Sequence, residues 1–158
     1  MHFRQHTSGA LEIFDLHPLL AGLVTELPNV AGRHEKARGR LFPDPGGNGM
    51  HEELLHDWRD HVQPELERLF ASSRATVARD IAGMPPEAIR LLIPSDHVDA
   101  WLNCLNQARL IIVEENRFTE ADMDHREPPD LSTRRGLALL KVHFYAHLQE
   151  ALVEVASA

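Results

Sequence analysis

The stretch from Pro94 to Val113, PSDHVDAWLNCLNQARLIIV, is the clearest helix signal in the chain. Ser95 or Asp96 can cap its start, and apolar residues then recur at steps of three and four. The recurring positions are Val98, Trp101, Leu102, Leu105, Ala108, Ile112 and Val113. Burying large side chains of this kind stabilises a fold by about 1.5 to 3 kcal/mol each. We therefore expect this helix to lie at the centre of the protein.

A second long amphipathic path is predicted upstream of this helix. Its apolar positions run through Leu55, Trp58, Val62, Leu66, Leu69, Val77 and Ile81. Pro64 lies inside the path, where it removes a backbone donor and clashes with the carbonyl group four residues back. We therefore expect a kink, or two abutting helices, near residues 61–64.

Two more helices are predicted nearer the ends of the chain. The first begins at Pro18, which suits a first helical turn, and ends before Pro28, which disfavours helical geometry in the residue preceding it. The second begins near Ser132 or Thr133. Its apolar face consists of Leu137, Leu140, Phe144, Leu148, Ala151, Leu152 and Val155. We expect this face to pack against the helix that contains Trp101.

Short extended segments predict a small sheet. Residues 2–6 and 11–16 are compatible with strands and are separated by turn-forming residues at 7–9, which favours a hairpin. The apolar run 88–93 predicts a third strand that pairs with this hairpin. The fold class is therefore α+β, with mostly helical structure and a small antiparallel sheet. A length of 158 residues suits one hydrophobic core, so we expect a single domain over residues 1–158, in which 29–49 and 114–130 are connecting loops.

Composition excludes several classes of protein. The net charge of −8 disfavours indiscriminate binding to polyanions. The apolar runs are far shorter than the roughly 18 residues that a membrane span requires, and the first residues lack the apolar core of a signal peptide, so we expect a cytoplasmic protein. Cys104 is the one cysteine and predicts an inert, buried thiol without a disulfide. No sequence motif indicates a cofactor.

The strongest metal candidates are His143 and His147. A spacing of four residues places both rings on one helix face, where a third ligand from elsewhere would complete a metal site. The neighbouring Leu139, Leu140 and Ala151 instead favour a pair of surface or partly buried histidines. We therefore predict no metal site, and we keep a metal-dependent hydrolase that uses this pair as an alternative function.

Arg33, Lys36, Arg38 and Arg40 form the basic cluster of the chain, interrupted by Glu35. A solvated loop is the simpler interpretation of this cluster. A DNA-binding regulator is a further alternative, because the local field rather than the net charge governs such binding.

Arg109 is the most unusual polar residue of the central helix. It falls between Leu102, Leu105 and Ile112 on the apolar face, where a guanidinium group needs partners or must leave the core. The simpler interpretation is a buried structural tie. The alternative is a contact with an anion or a protein partner, for which Asn106, one turn earlier, is a natural neighbour.

Three segments in this order resemble a bacterial, mainly actinobacterial, family known as a domain of unknown function, number two thousand and seventeen. They are Arg40-Leu41-Phe42-Pro43-Asp44, the long helix from Trp58 to Val77, and Ala100-Trp101-Leu102 leading into Asn106-Gln107-Ala108-Arg109-Leu110. The closing Leu148-Gln149-Glu150-Ala151-Leu152-Val153 also resembles the final helix of that family. The chain departs from the family pattern in its many histidines and in the Gly-Gly-Asn-Gly insertion after Asp44.

The resemblance implies a regulatory or proteostasis setting without an assigned reaction, because family members commonly have genes near that of the Clp protease adaptor for N-terminal degradation signals. Together with the residues above, it favours a non-enzymatic regulatory or adaptor protein that binds another protein. The expected contact surface is a groove beside the Trp101 helix or the loop from Arg40 to Asp44. The candidate contact residues are Arg40, Asp44, Asn106 and Arg109.

Overall fold

Three short strands and a series of helices make up the computed structural model, which describes residues 1–46, 51–84, 90–124 and 127–157. In chain order the elements are β1 (His2–Gln5), β2 (Leu11–Phe14), α1 (Pro18–Ala31), α2 (Arg38–Leu41), α3 (Glu52–Asp57), α4 (Gln63–Ala82), β3 (Leu91–Ile93), α5 (Val98–Asn116), α6 (Glu120–Met123) and α7 (Arg134–Ala156). Short 3-10 turns lie at His34–Ala37 and Ser95–His97, and a π-helical turn lies at Trp58–Val62.

Helix α5 lies at the centre of the protein, as its sequence predicts. It packs against α1, α4 and α7, so more than one of its faces is covered. Trp101 and Leu105 are fully buried, and so are Cys104 and Ile111, which lie off the predicted stripe. The stripe identifies the helix correctly but underestimates how much of its circumference is enclosed.

The sheet has the predicted antiparallel form, with the order β1-β2-β3. Ile13 pairs with Phe3 on one side and with Leu91 on the other. The sheet turns one face to the helices. The side chains on that face are at most 1% exposed, and they belong to Leu11, Ile13, Leu91 and Ile93. The third strand begins at Leu91, and positions 88 and 89 of the predicted run lie outside the described residues.

The long amphipathic path breaks near Pro64, as predicted. Helix α3 passes into the π-helical turn, and α4 then begins at Gln63, so that Pro64 lies in a first helical turn where its missing N–H is tolerated. The predicted apolar stripe is buried far less than expected. Val77 is its one fully buried member, whereas Val62 and Leu69 are exposed, because these turns lie at the edge of the bundle.

The predicted end of α1 before Pro28 is wrong. The helix continues to Ala31, and the N–H of Gly32 donates to the carbonyl group of Pro28 at 3.0 Å. Leu27, Val30 and Ala31 are buried in this last turn. The free energy gained by their burial offsets the loss of the backbone hydrogen bond that Pro28 cannot donate.

The two segments expected to be connecting loops contain regular structure. Segment 29–49 includes the end of α1, the 3-10 turn and α2, and segment 114–130 includes the end of α5 and α6. Leu41, Phe42 and Phe118 are buried. Apolar side chains in otherwise polar, glycine-rich or proline-rich segments therefore hold these connections against the core.

Helix α7 packs against α5, as predicted. Phe144, Leu148 and Leu152 of its predicted face are buried, and Val142 and Tyr145 are also fully buried. The hydroxyl group of Tyr145 donates to the carbonyl oxygen of Leu23 at 2.8 Å, which ties α7 to α1.

Candidate functional site

A groove of about 860 Å³ lies between the 3-10 turn at His34–Ala37, the C-terminal end of α5 and the N-terminal half of α7. Its lining side chains are mainly charged or apolar. They belong to Arg33, Glu35, Lys36, Ile112, Glu115, Asn116, Arg134, Leu137, Ala138 and Lys141. The groove therefore lies beside the central helix.

The wall formed by α7 depends on a glycine. A Cβ atom at Gly136 would lie 1.9 Å from the carbonyl oxygen of Asp130, so the chain can pass this close to the helix only without a side chain there. The carboxylate of Asp130 accepts from the N–H of Ser132 at 3.0 Å, and the hydroxyl group of Thr133 accepts from the N–H of Gly136 at 2.9 Å. This tight turn sets the position at which Arg134 enters the groove.

The wall formed by α5 ends at Asn116 because Arg117 adopts left-handed backbone geometry, with a φ of 51°. Arg135 then joins the two walls. Its guanidinium group donates to the carbonyl oxygen of Asn116 at 2.7 Å, lies 3.0 Å from a carboxylate oxygen of Asp122 and stacks on the ring of Phe118. Hydrogen bonds from Thr119, together with the Arg135 guanidinium, lower the pKa of Asp122 to about 2, so this anchor stays ionised.

The groove contains more positive than negative charge. Arg33, Lys36, Arg134 and Lys141 line it, against the carboxylates of Glu35 and Glu115. Arg33 pairs with Glu115 at 3.2 Å, and Lys141 pairs with Glu26 at 2.6 Å. Lys36 and Arg134 are exposed and form no ion pair within the described residues. Two cations at opposite walls are thus free to meet an anionic ligand, above an apolar floor made by Ile112, Leu137 and Ala138.

The predicted basic cluster is divided by the fold. Arg33 and Lys36 line the groove, whereas the other two arginines pair outside it. Arg38 lies 2.6 Å from Glu67, and Arg40 lies 3.2 Å from Glu114. Residues adjacent in sequence therefore do not form one continuous basic face.

None of the four candidate contact residues from the sequence lines the groove. Asp44 accepts two hydrogen bonds from Arg59, at 2.7 and 3.2 Å. These hydrogen bonds lower the pKa of the Asp44 carboxyl group. Arg40 pairs with Glu114 as described. Asn106 is exposed on α5, and Arg109 donates to the side chain of Gln149 on α7.

Sequence reasoning missed Arg134, Lys141 and Glu115. One signal was available for Arg134, because α7 begins with two adjacent arginines where the helix dipole disfavours cations. The adjacent Arg135 has the same placement and makes structural contacts with Asn116 and Asp122, so this signal alone does not assign a role. The ion pairs of Lys141 with Glu26 and of Glu115 with Arg33 join separate elements and had no signal in the sequence.

The histidine pair is not part of this site. His147 is exposed, lies 3.9 Å from Glu150 and packs edge-on against the ring of Phe3, whereas His143 is half-buried. Across the described ranges, no group of three or more His, Cys, Asp or Glu side chains is placed to hold a metal ion.

Comparison with known proteins identifies a family and no characterised relative. In the part of the chain that the structure describes, none of the helices combines the length and apolar character that crossing a membrane requires. Searches among curated proteins and among solved structures found no match. A family model described as Domain of unknown function (DUF2017) matches residues 3–156, which is nearly the whole chain, and the protein therefore belongs to that family.

Proposed function

We propose that this protein is a non-enzymatic, cytoplasmic regulatory or adaptor protein that binds an acidic segment of another protein in the groove between α5 and α7. The observation that carries the proposal is a pair of exposed cations, Lys36 and Arg134. Both lack carboxylate partners among the described residues, and both line a groove with an apolar floor. An acidic segment with interspersed apolar residues matches both features.

The surrounding charge supports a specific contact rather than general attraction to anions. The whole chain carries a net charge of −8, so its average field repels an acidic partner. A local excess of cations in the groove would direct such a partner to one place. The same repulsion opposes the DNA-binding alternative, in which many phosphates must approach one surface.

Both alternatives from the sequence have less support than protein binding. DNA binding through Arg33, Lys36, Arg38 and Arg40 would use a cluster in which three members already pair with Glu115, Glu67 and Glu114. A hydrolase that uses His143 and His147 would need a third metal ligand close to them.

The test measures binding of the full chain to a fluorescein-labelled peptide that alternates glutamate with leucine and alanine. A peptide in which glutamine replaces glutamate, and a short DNA duplex, are the comparison ligands. Fluorescence anisotropy at about 0.05 and 0.2 M salt separates charge-driven from apolar binding. We expect saturable binding of the acidic peptide, at least tenfold weaker binding of the glutamine peptide, and weaker binding of DNA than of the acidic peptide.

Charge reversal then locates the binding surface. Lys36→Glu and Arg134→Glu should each weaken the acidic peptide about tenfold, or ~1.4 kcal/mol. Arg68→Glu is the matched control, because Arg68 is an exposed arginine on α4 that pairs with Glu65 outside the groove. Equal effects of all three variants, or no binding of the acidic peptide, would contradict the proposal. Preferential binding of DNA would favour the DNA-binding alternative.

A further inference from the structure

A second cavity, of about 200 Å³, lies on the other side of the 3-10 turn. It is lined by His34, Phe42, Glu67, Phe70 and Arg74, so α4 forms one wall, and the 3-10 turn with the end of α2 forms the other. It shares no lining residue with the groove. Three of its five lining side chains, those of His34, Glu67 and Arg74, are ionisable.

The guanidinium group of Arg74 has no anionic partner among the described residues. It is half-buried, and its one hydrogen bond is donated to the side-chain oxygen of Gln107 at 3.0 Å. Gln107 is 1% exposed and neutral, so it orients the guanidinium group without balancing its charge. An arginine has five N–H donors, and removing its charge from water is unfavourable unless an anion compensates. Arg74 therefore has both the charge and the spare donors to bind an oxyanion.

Two further polar side chains line the cavity, and neither forms an ion pair or hydrogen bond with Arg74. The Nδ1 atom of His34 is buried and has no hydrogen-bond partner. The carboxylate of Glu67 uses one oxygen, Oε1, to accept from both Arg38 at 2.6 Å and Gln63 at 3.2 Å. Gln63 and Arg38 lower the pKa of Glu67, so this group remains an anion bound to its own neighbours rather than to Arg74. The guanidinium group of Arg74 is thus the charged group of the cavity that lacks the partner a ligand would supply.

The remaining walls are aromatic. The rings of Phe42 and Phe70 lie with their centroids 5.4 Å apart, and Phe42 is buried. Flat apolar walls beside a guanidinium group suit a ligand with a small apolar body and one carboxylate. The volume lies below the roughly 300 to 1,000 Å³ of sites for drug-sized ligands, which limits the ligand to a small molecule.

We propose that this cavity is a binding site for a small organic carboxylate, whose carboxylate group meets Arg74 and whose apolar body lies against Phe42 and Phe70. The arginine supplies a planar pair of donors that matches carboxylate geometry. The site is independent of the groove, so its test does not depend on the proposed partner.

The test titrates the full chain with benzoate and with benzamide, its neutral isostere, and follows binding by calorimetry and by the shift of backbone amide resonances. We expect saturable binding of benzoate at millimolar concentrations or below, with shifts centred on residues 34, 42, 70 and 74. Benzamide should bind at least tenfold more weakly. Absence of saturable benzoate binding, or equal binding of benzamide, would overturn the proposal.

Substitutions assign the binding to the cavity. Arg74→Gln should weaken benzoate at least tenfold, and Arg74→Lys should weaken it less because lysine keeps the charge but not the planar fork. Arg79→Gln, on the same helix but outside the cavity, should leave the affinity unchanged. Phe70→Trp keeps Arg74 and fills the space, so it tests the site even if Arg74→Gln fails to fold. Unaltered benzoate affinity in Phe70→Trp would place the binding elsewhere and refute the site.

Discussion

The carboxylate of Asp80, near the end of α4, accepts a hydrogen bond from the indole Nε1 of Trp101 at 2.8 Å. The same carboxylate lies 2.9 Å from Nδ1 of His97, in the turn that leads into α5. Trp101 is fully buried, so its N–H has no access to water. Asp80 therefore supplies the acceptor that the buried indole N–H of Trp101 requires. Through its contact with His97 it also holds the start of α5.

Replacing Asp80 should destabilise the protein more than replacing an exposed aspartate. Asp80→Ala leaves the Trp101 N–H buried without an acceptor, which we expect to lower the free energy of unfolding by about 2 to 3 kcal/mol. Urea denaturation followed by tryptophan fluorescence measures this loss. Asp124→Ala is the control, because Asp124 is exposed at the end of α6, and it should change stability by less than about 0.5 kcal/mol. Equal losses in the two variants would show that the bond contributes nothing.

Arg109 should contribute to stability rather than to partner binding. Its guanidinium group donates to Gln149, whose own amide donates to the carbonyl oxygen of Leu102 at 3.3 Å, so the pair joins α5 to α7. A double-mutant cycle with Arg109→Ala and Gln149→Ala should give a coupling energy of about 0.5 to 1.5 kcal/mol in chemical denaturation. Arg109→Ala should leave binding of the acidic peptide unchanged. Zero coupling together with weaker peptide binding would restore Arg109 as a contact residue.

Two glycine substitutions should have opposite effects on stability. Gly136→Ala forces the turn at Asp130 away from α7, and overpacking of this kind lowers the free energy of unfolding by about 1 to 3 kcal/mol. Gly22 lies in the interior of α1, where an added Cβ would meet no atom within 4 Å. Gly22→Ala should therefore raise the free energy of unfolding by about 0.5 to 1 kcal/mol. Thermal and urea denaturation compare the two. A stable Gly136→Ala variant would show that the turn has room to move.

Stability should decrease in mild alkali because of Cys104. Burial raises the pKa of this thiol to about 12, whereas an unfolded cysteine ionises at about 8.5. The pKa of Cys104 is higher in the folded protein than in the unfolded chain. The stability that the buried, protonated thiol contributes is therefore fully present well below about pH 8.5 and is lost as the pH rises toward 12. Between pH 7 and 10 we expect the free energy of unfolding to fall by roughly 2 kcal/mol.

The Cys104→Ala variant isolates this contribution of the thiol. Its stability should change less over the same pH range, whatever its absolute stability, and the difference between the two pH curves is the quantity to compare. A thiol reagent should also modify the folded wild-type protein only at the rate of unfolding, because Cys104 is buried. Parallel pH curves for the two proteins would rule out the thiol as the cause.

Local sequence patterns predicted those elements whose formation depends on local chemistry. The period of apolar residues in α5 predicted a central helix, Pro64 predicted the break before α4, and turn residues between extended segments predicted the hairpin. The family was also recognisable from the order of its motifs. The end of α1 was predicted wrongly at Pro28 because the burial of Val30 and Ala31, which offsets the proline, depends on the packing of distant elements.

The sequence by itself thus determined the fold class and the place of the Trp101 helix, since both follow from periodicities that each segment carries. Only the tertiary structure decided which charges remain unpaired. Arg38 and Arg40 appear equivalent to Arg33 and Lys36 along the chain, yet glutamates on α4 and α5 neutralise two of them outside the groove. Arg74 is one of many arginines in the sequence, and its lack of an anion arises from its position against Gln107. Charge compensation depends on distances between elements far apart in the chain, and a linear pattern does not contain those distances.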